Sequence, residues 1–198
     1  NILEIPNINI PILVQDKKKV FLGIAVAIPK SGFDDILKMC TEIGIDFIQP
    51  LYSEHQIKRI SNQVSKIDRW NTIINEAVEQ CERLWKPKIL NIMDICQWII
   101  ACKAEDIISI SLTRDENCLS LNNWLKMQNL LIQEKTVIWN VIGPEGGWSK
   151  REIYCFKDNK IQFIKLSESI LRTSTACVTA ASMLSQWRSF DMELNHLI

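Results

Sequence analysis

Apolar and polar positions change period several times along the chain, and each change marks an element. Val20 to Ile28 is an unbroken apolar run of strand length, as expected of a strand covered on both faces. Ser31 can cap a helix reaching Ile43, where Phe33, Ile36, Leu37 and Cys40 keep helical spacing and Gly44 provides the stop. Ile45 to Ile48 reads as a short strand halted by Pro50. Ile67, Trp70, Ile74, Ala77, Val78 and Cys81 recur at three and four residues, which predicts a helix from Ile67 to Leu84, broken by Trp85-Lys86-Pro87-Lys88. Asp94 can cap a helix through Ala101. A strand over Ile107–Leu112, a helix over Asn123–Gln133 and a strand over Thr136–Ile142 follow. Then come a glycine turn at 143–147, a helix opened by Ser149, a strand over Ile161–Leu166 and a last helix from Thr173 to Phe190. Strands alternating with helices predict an α/β fold, a parallel sheet with helices on both faces.

Composition narrows the class. The chain has 198 residues, of which 47% are hydrophobic and 23% charged, the averages of a globular protein. Lys and Arg number 23 against 23 Asp and Glu, so bulk attraction to nucleic acid is excluded and any such contact must be local. Seven cysteines at irregular spacing, without C-x-x-C and with only His55 and His196 as histidines, offer no zinc cluster. No metal is expected, and the thiols read as reduced side chains of a cytoplasmic protein. The longest apolar run is too short to cross a bilayer, so no membrane partner is expected. Residues 1–19 carry Pro6, Pro11 and the charge run Asp16-Lys17-Lys18-Lys19. They read as extended structure without a core of their own, with the main domain over 20–198.

Three segments could carry chemistry. Val141-Ile142-Gly143-Pro144-Glu145-Gly146-Gly147-Trp148-Ser149 runs from a buried strand through a glycine turn to a helix, with Ser149 and Glu152 spaced as a capping box. Free backbone N–H groups at the C-terminal end of a parallel strand lie where open α/β sheets bind ligands, although a glycine turn alone is also an ordinary loop. It is neither a dinucleotide fingerprint nor a phosphate loop. Leu166 to Ala176 repeats the pattern of strand end, polar loop and helix start, and the helix that follows is rich in small residues that also suit a tight core. Glu79-Gln80-Cys81-Glu82-Arg83 with Lys86-Pro87-Lys88 places cations beside Trp85. It reads equally as a solvated helix end or a base-stacking patch.

Together these segments resemble the family that methylates N3 of a uridine in small-subunit (16S) ribosomal RNA, within the SPOUT superfamily. Ile142-Gly143-Pro144-Glu145-Gly146-Gly147-Trp148-Ser149 with Glu152 is similar to its signature loop. Leu166 with Ile170-Leu171-Arg172-Thr173 and Thr175-Ala176 is similar to its second loop. Ala77-Val78-Glu79-Gln80, Arg83 and Pro87 are similar to its helix-and-turn motif, and Lys30, Thr41-Glu42, Gly44 and Pro50 to its opening strand and helix. The resemblance implies a C-terminal trefoil knot, S-adenosyl-L-methionine as cofactor, a homodimer and 16S rRNA as partner. It makes residues 1–19 a remnant of an N-terminal RNA-binding β-barrel, or a linker. It implies cofactor binding by Leu112, Ile142, Gly143, Pro144, Glu145, Gly146, Gly147, Leu166, Ser167, Ile170, Leu171, Thr173 and Ala176. Arg172, Arg83 and Glu145 are the catalytic candidates, and Lys30, Gln80, Arg83, Lys86 and Lys88 the substrate contacts. The chain departs from the family pattern at Ser167, Ser169 and Ser174, where Gly, Arg and Glu are usual, and at Cys81-Glu82, where Ser-Gly is usual. A knotted RNA-binding paralogue with weakened or lost turnover, or another RNA methyltransferase of the superfamily, is the alternative reading.

Overall fold

The computed structural model describes residues 20–56, 63–102, 104–112, 118–128 and 135–195, with the side chains of 190–195 outside the description. The expectations for 1–19 and for the end of the helix placed at Asn123–Gln133 lie outside the described residues. The elements in chain order are β1 (Phe21–Ala27), α1 (Phe33–Ile43), β2 (Phe47–Tyr52), α2 (Gln63–Gln80), β3 (Lys88–Ile89), β4 (Met93–Asp94) and α3 (Ile95–Ala101). They continue with β5 (Ile107–Ser111), β6 (Leu119–Ser120), α4 (Leu121–Gln128), β7 (Val137–Ile142), α5 (Lys150–Asp158), β8 (Gln162–Lys165) and α6 (Thr173–Asn195). One sheet results, ordered β3-β2-β1-β7-β5-β8-β6 with β4 beside β2. Every pairing is parallel, as the alternation of strands and helices predicts.

The alternation of side chains along each strand divides the core in two. Leu22, Ile24 and Val26 of β1 pack with α1, α2, α4 and α6, including Leu37, Trp70, Trp124 and Ala180. Ala25 faces the opposite layer, where α3 and α5 supply Ile95, Trp98 and Phe156 against Trp139 and Val141 of β7. Gly23 is forced by this packing. It pairs with Trp139 across the β1–β7 ladder, and a Cβ at position 23 would stand 2.2 Å from the indole.

Several boundaries differ from the sequence expectation, each for a physical reason. Ser31 does not cap α1; Gly32 occupies that place at φ 79 without a side-chain cap. Pro50 does not stop β2. The carbonyls of Asp46 and Ile48 point to the β3 side, and position 50 continues that side into the gap between β3 and β4, where a missing N–H is harmless. Gln49 Nε2 bridges the gap by donating to Pro50 O and Asn91 O, both at 2.7 Å. α2 ends at Gln80 rather than Leu84, because the next residues form a turn in which Glu82 takes φ 56. Position 82 is where the resembled family usually has glycine, and the left-handed backbone explains that preference.

Candidate functional site

β5, β7 and β8 lie side by side, and their C-terminal ends open into a cleft of about 580 Å³, within the size range of small-molecule sites. β1 leads to β2 on one side of the sheet, and the later strands extend it on the other, so the cleft stands near the reversal of strand order where open sheets bind ligands. Ser111 and Leu112 come from the end of β5, Ile142 to Glu145 with Gly147 and Trp148 from the end of β7 and the loop after it, and Leu166, Ser167, Ser169 to Thr173 and Ala176 from the loop after β8 and the start of α6.

The two loops are tied directly. Thr173 Oγ1, at the first position of α6, donates to Gly143 O at 3.3 Å. A Cβ on Gly143 would stand 3.0 Å from the Trp148 indole, so glycine there lets that ring close the wall without shifting. The turn shuts on itself through Gly147 N–H donating to Pro144 O at 2.9 Å, with Gly147 at φ 71. α5 then starts with the capping box read from the sequence: Ser149 accepts from Glu152 N–H, and Glu152 Oε2 accepts from Ser149 N–H at 2.7 Å. The other Glu152 oxygen accepts from Glu54 N–H at 3.0 Å, which joins the loop after β2 to the base of the site. Glu152 is almost fully buried. In the second loop Ser169 N–H donates to Ser167 Oγ at 3.1 Å. Ser167 does not take the positive φ that would make a usual glycine indispensable.

Of the residues expected to hold a cofactor, all but Gly146 line the cleft. Arg172 and Glu145, the two charged candidates, also line it and are exposed. Lys30 is exposed in the loop after β1, at the same end of the sheet. Sequence reasoning missed Ser111, Trp148, Ile153 and Ser169 as lining residues. Trp148 adjoins the glycine turn and could have been included on that ground, whereas Ile153 reaches the cleft only through the helical turn of α5.

Arg83 is not brought to the cleft. Its guanidinium donates to Thr41 O at 2.6 Å and Ile45 O at 3.0 Å and lies 3.7 Å from Asp46 Oδ1. Asp46 immediately precedes β2, accepts from Leu22 N–H near the start of β1, and pairs with Arg188 of α6. Arg83 therefore sits at the N-terminal edge of the sheet, roughly 20 Å from the opposite edge at about 3.3 Å per strand residue. Burial lowers the guanidinium pKa, and Asp46 opposes that shift. It is a structural cation in one chain, not a group of the cleft. Gln80, Lys86 and Lys88 are exposed at that same far end. The helix-and-turn motif is thus real but separate from the two loops.

Comparison with known proteins fits this arrangement. Residues 16–185 match the family described as RNA methyltransferase domain. Ribosomal RNA small subunit methyltransferase E of Synechocystis sp. is 33% identical over 172 residues, 86% of this chain and 55% of that protein. The chain thus spans little more than half of that relative. The protein of the same name from Mesomycoplasma hyopneumoniae is 30% identical over 168 residues, 83% of this chain and 68% of its own length. A crystal structure of ribosomal RNA small subunit methyltransferase E from Neisseria gonorrhoeae, bound to S-adenosyl methionine, superposes with a TM-score of 0.71. It is 25% identical, and the match covers 84% of this chain and 66% of that one. A Porphyromonas gingivalis structure titled probable rRNA-methyltransferase, 22% identical with a TM-score of 0.72 over 89% of this chain and 71% of that one, shares the fold. With the matched region running from ahead of β1 into α6, the chain belongs to the RNA methyltransferase domain family.

Proposed function

We propose that the protein transfers a methyl group from S-adenosyl-L-methionine to N3 of a uridine in 16S ribosomal RNA of the small subunit. The observation that carries this reading is the union of the glycine turn after β7 and the loop after β8 in one cleft at the C-terminal strand ends. Family membership and the names of the relatives support it. The residues present suit the cofactor. The cleft has the right scale, glycine at 143 keeps the backbone bare beside it, and apolar groups line it beside a few polar ones.

The cofactor, when bound, supplies a methyl group on a positively charged sulfur. Ile142, Leu166 and Leu171, with Ile170 at the rim, would line its site and keep water from its inner side, which strengthens every electrostatic contact there. Backbone groups of Gly143, Gly147, Leu166 and Leu171 would hold it in place, and Glu145 would offer a negative charge to its cationic part. Arg172 orients the RNA and stabilises the imide anion left when uracil N3 gives up its proton to solvent at the open side of the cleft. Alignment of donor and acceptor supplies roughly 7–11 kcal/mol of the barrier. Lys30 lies at the correct end of the sheet to meet RNA phosphate.

The same reading extends to a trefoil knot formed by the two loops, a homodimer in the cytoplasm, and residues 20–198 as the catalytic domain. Arg83, Gln80, Lys86 and Lys88 then meet RNA only if a second subunit carries them to the cleft. The test is incorporation of labelled methyl groups into small-subunit ribosomal RNA, followed by mapping of the modified base. Methylation at uridine N3 supports the reading. Incorporation at another atom points to a different RNA methyltransferase, and cofactor binding without incorporation points to a binding paralogue.

A further inference from the structure

One glycine of the turn, Gly146, does not line the cleft. It faces outward to the loop after β2, where a Cβ on it would stand 3.1 Å from His55 Cβ and 3.6 Å from His55 O. His55 Nδ1 lies 3.2 Å from Gly146 O and 2.9 Å from Gly147 O. Both partners are carbonyl oxygens and can only accept, so Nδ1 carries the proton and donates to the pair. Its own loop is fixed through the residue that precedes it. Glu54 N–H donates to Glu152 Oε1, and the Glu54 carboxylate pairs with Arg151 at 2.7 Å.

The consequence for the cleft is physical. Two carbonyls converging on one point repel each other, and the peptide units between glycines rotate with little steric resistance. Rotation of the 146–147 unit carries the Gly147 N–H away from Pro144 O and moves the wall formed by Gly147 and Trp148. A single N–H between the carbonyls removes the repulsion and fixes both planes. We propose that His55 is a positioning residue for the cofactor: its Nδ1–H pins the glycine turn from outside, and Gly146 is glycine so that the imidazole can approach. This inference rests on the cofactor reading for its functional meaning, but the pinning itself does not.

The experiment compares wild type, His55→Ala and His55→Asn, whose Nδ2–H can occupy the place of the imidazole Nδ1–H. Affinity for S-adenosylhomocysteine is measured by equilibrium binding, and amide hydrogen exchange of residues 145–149 is followed in the ligand-free protein. Expected are affinity about tenfold weaker in His55→Ala, the loss of roughly one hydrogen bond, and recovery to near wild type in His55→Asn. Exchange at Gly147 should quicken about five- to tenfold in His55→Ala alone. Gly146→Ala, which obstructs the approach, should copy His55→Ala. Affinity within twofold of wild type together with unchanged exchange in His55→Ala overturns the proposal, as does equal weakening in His55→Asn. A wild-type protein that binds no S-adenosylhomocysteine contradicts the cofactor reading; accelerated exchange in His55→Ala still supports the pinning, and unchanged exchange overturns it.

Discussion

At the scale of single residues, two arginines with the same sequence credentials separate completely. Arg172 is exposed at the cleft, whereas Arg83 is spent on two carbonyls and a carboxylate at the far edge of the sheet. Arg172→Ala is expected to lower the methyl-transfer rate about 100-fold through lost charge stabilisation while leaving the melting temperature unchanged. Arg83→Ala is expected to do the reverse on the isolated chain. Arg188 still pairs with Asp46, but the two charged hydrogen bonds to Thr41 O and Ile45 O are lost at about 3 kcal/mol together, so thermal unfolding should shift down by roughly 6–12 °C, with cofactor affinity retained in the folded fraction. Gly23→Ala drives a methyl group into Trp139 and is expected to destabilise by about 1–3 kcal/mol in denaturant titration. The motif around Arg83 was legible as a motif because Glu79, Gln80, Arg83 and Pro87 keep their spacing. Its place was not, because the direction of an arginine side chain follows from where α2 ends relative to the α1–β2 turn, a tertiary property.

At the scale of elements, two of the three N-caps read from the sequence form, and the one placed at Ser31 does not. Asp94 accepts from Cys96 N–H and Gln97 N–H at the start of α3, and the Ser149–Glu152 box opens α5, both as their spacing indicates. Ser149→Ala is expected to remove about 1 kcal/mol of stability. Glu152→Ala strands the buried Ser149 N–H and frees the more exposed Glu54 N–H, and is expected to remove about 1–3 kcal/mol, both read from chemical denaturation. What the sequence hid were the short strands. β3, β4 and β6 have two residues each, too few for any periodicity, and they exist because β2 and β8 offer open edges. The passage of β2 through Pro50 belongs to the same class, since only the gap between β3 and β4 makes it harmless. The loop after β2 was likewise invisible as part of the site, because His55 meets Gly146 across 91 positions of sequence.

At the scale of the whole molecule, the parallel sheet followed from the alternation of elements, but the insertion of β7 between β1 and β5 did not, because no local pattern encodes strand order. That insertion is what sets the glycine turn beside the loop after β8. Burial pushes the Cys40 and Cys102 thiols up to about 12 and Cys177 well above its ordinary value. A thiol raised in the folded state contributes stability that is intact below its unfolded pKa and is lost as pH rises through the folded one. Stability should therefore fall between about pH 9 and 12, measurable as a declining denaturation midpoint, with native Cys40 and Cys177 resisting alkylation at pH 8. Among the described residues no helix is long and apolar enough to cross a membrane. The central claim is that the cleft at the ends of β5, β7 and β8 is the cofactor site, and calorimetric titration with S-adenosylmethionine tests it most directly. The account predicts one site per chain, abolished by Ala176→Phe, which fills the cleft, and preserved in Lys88→Ala at the far edge. Absence of binding by the folded protein, or binding indifferent to Ala176→Phe, would contradict it.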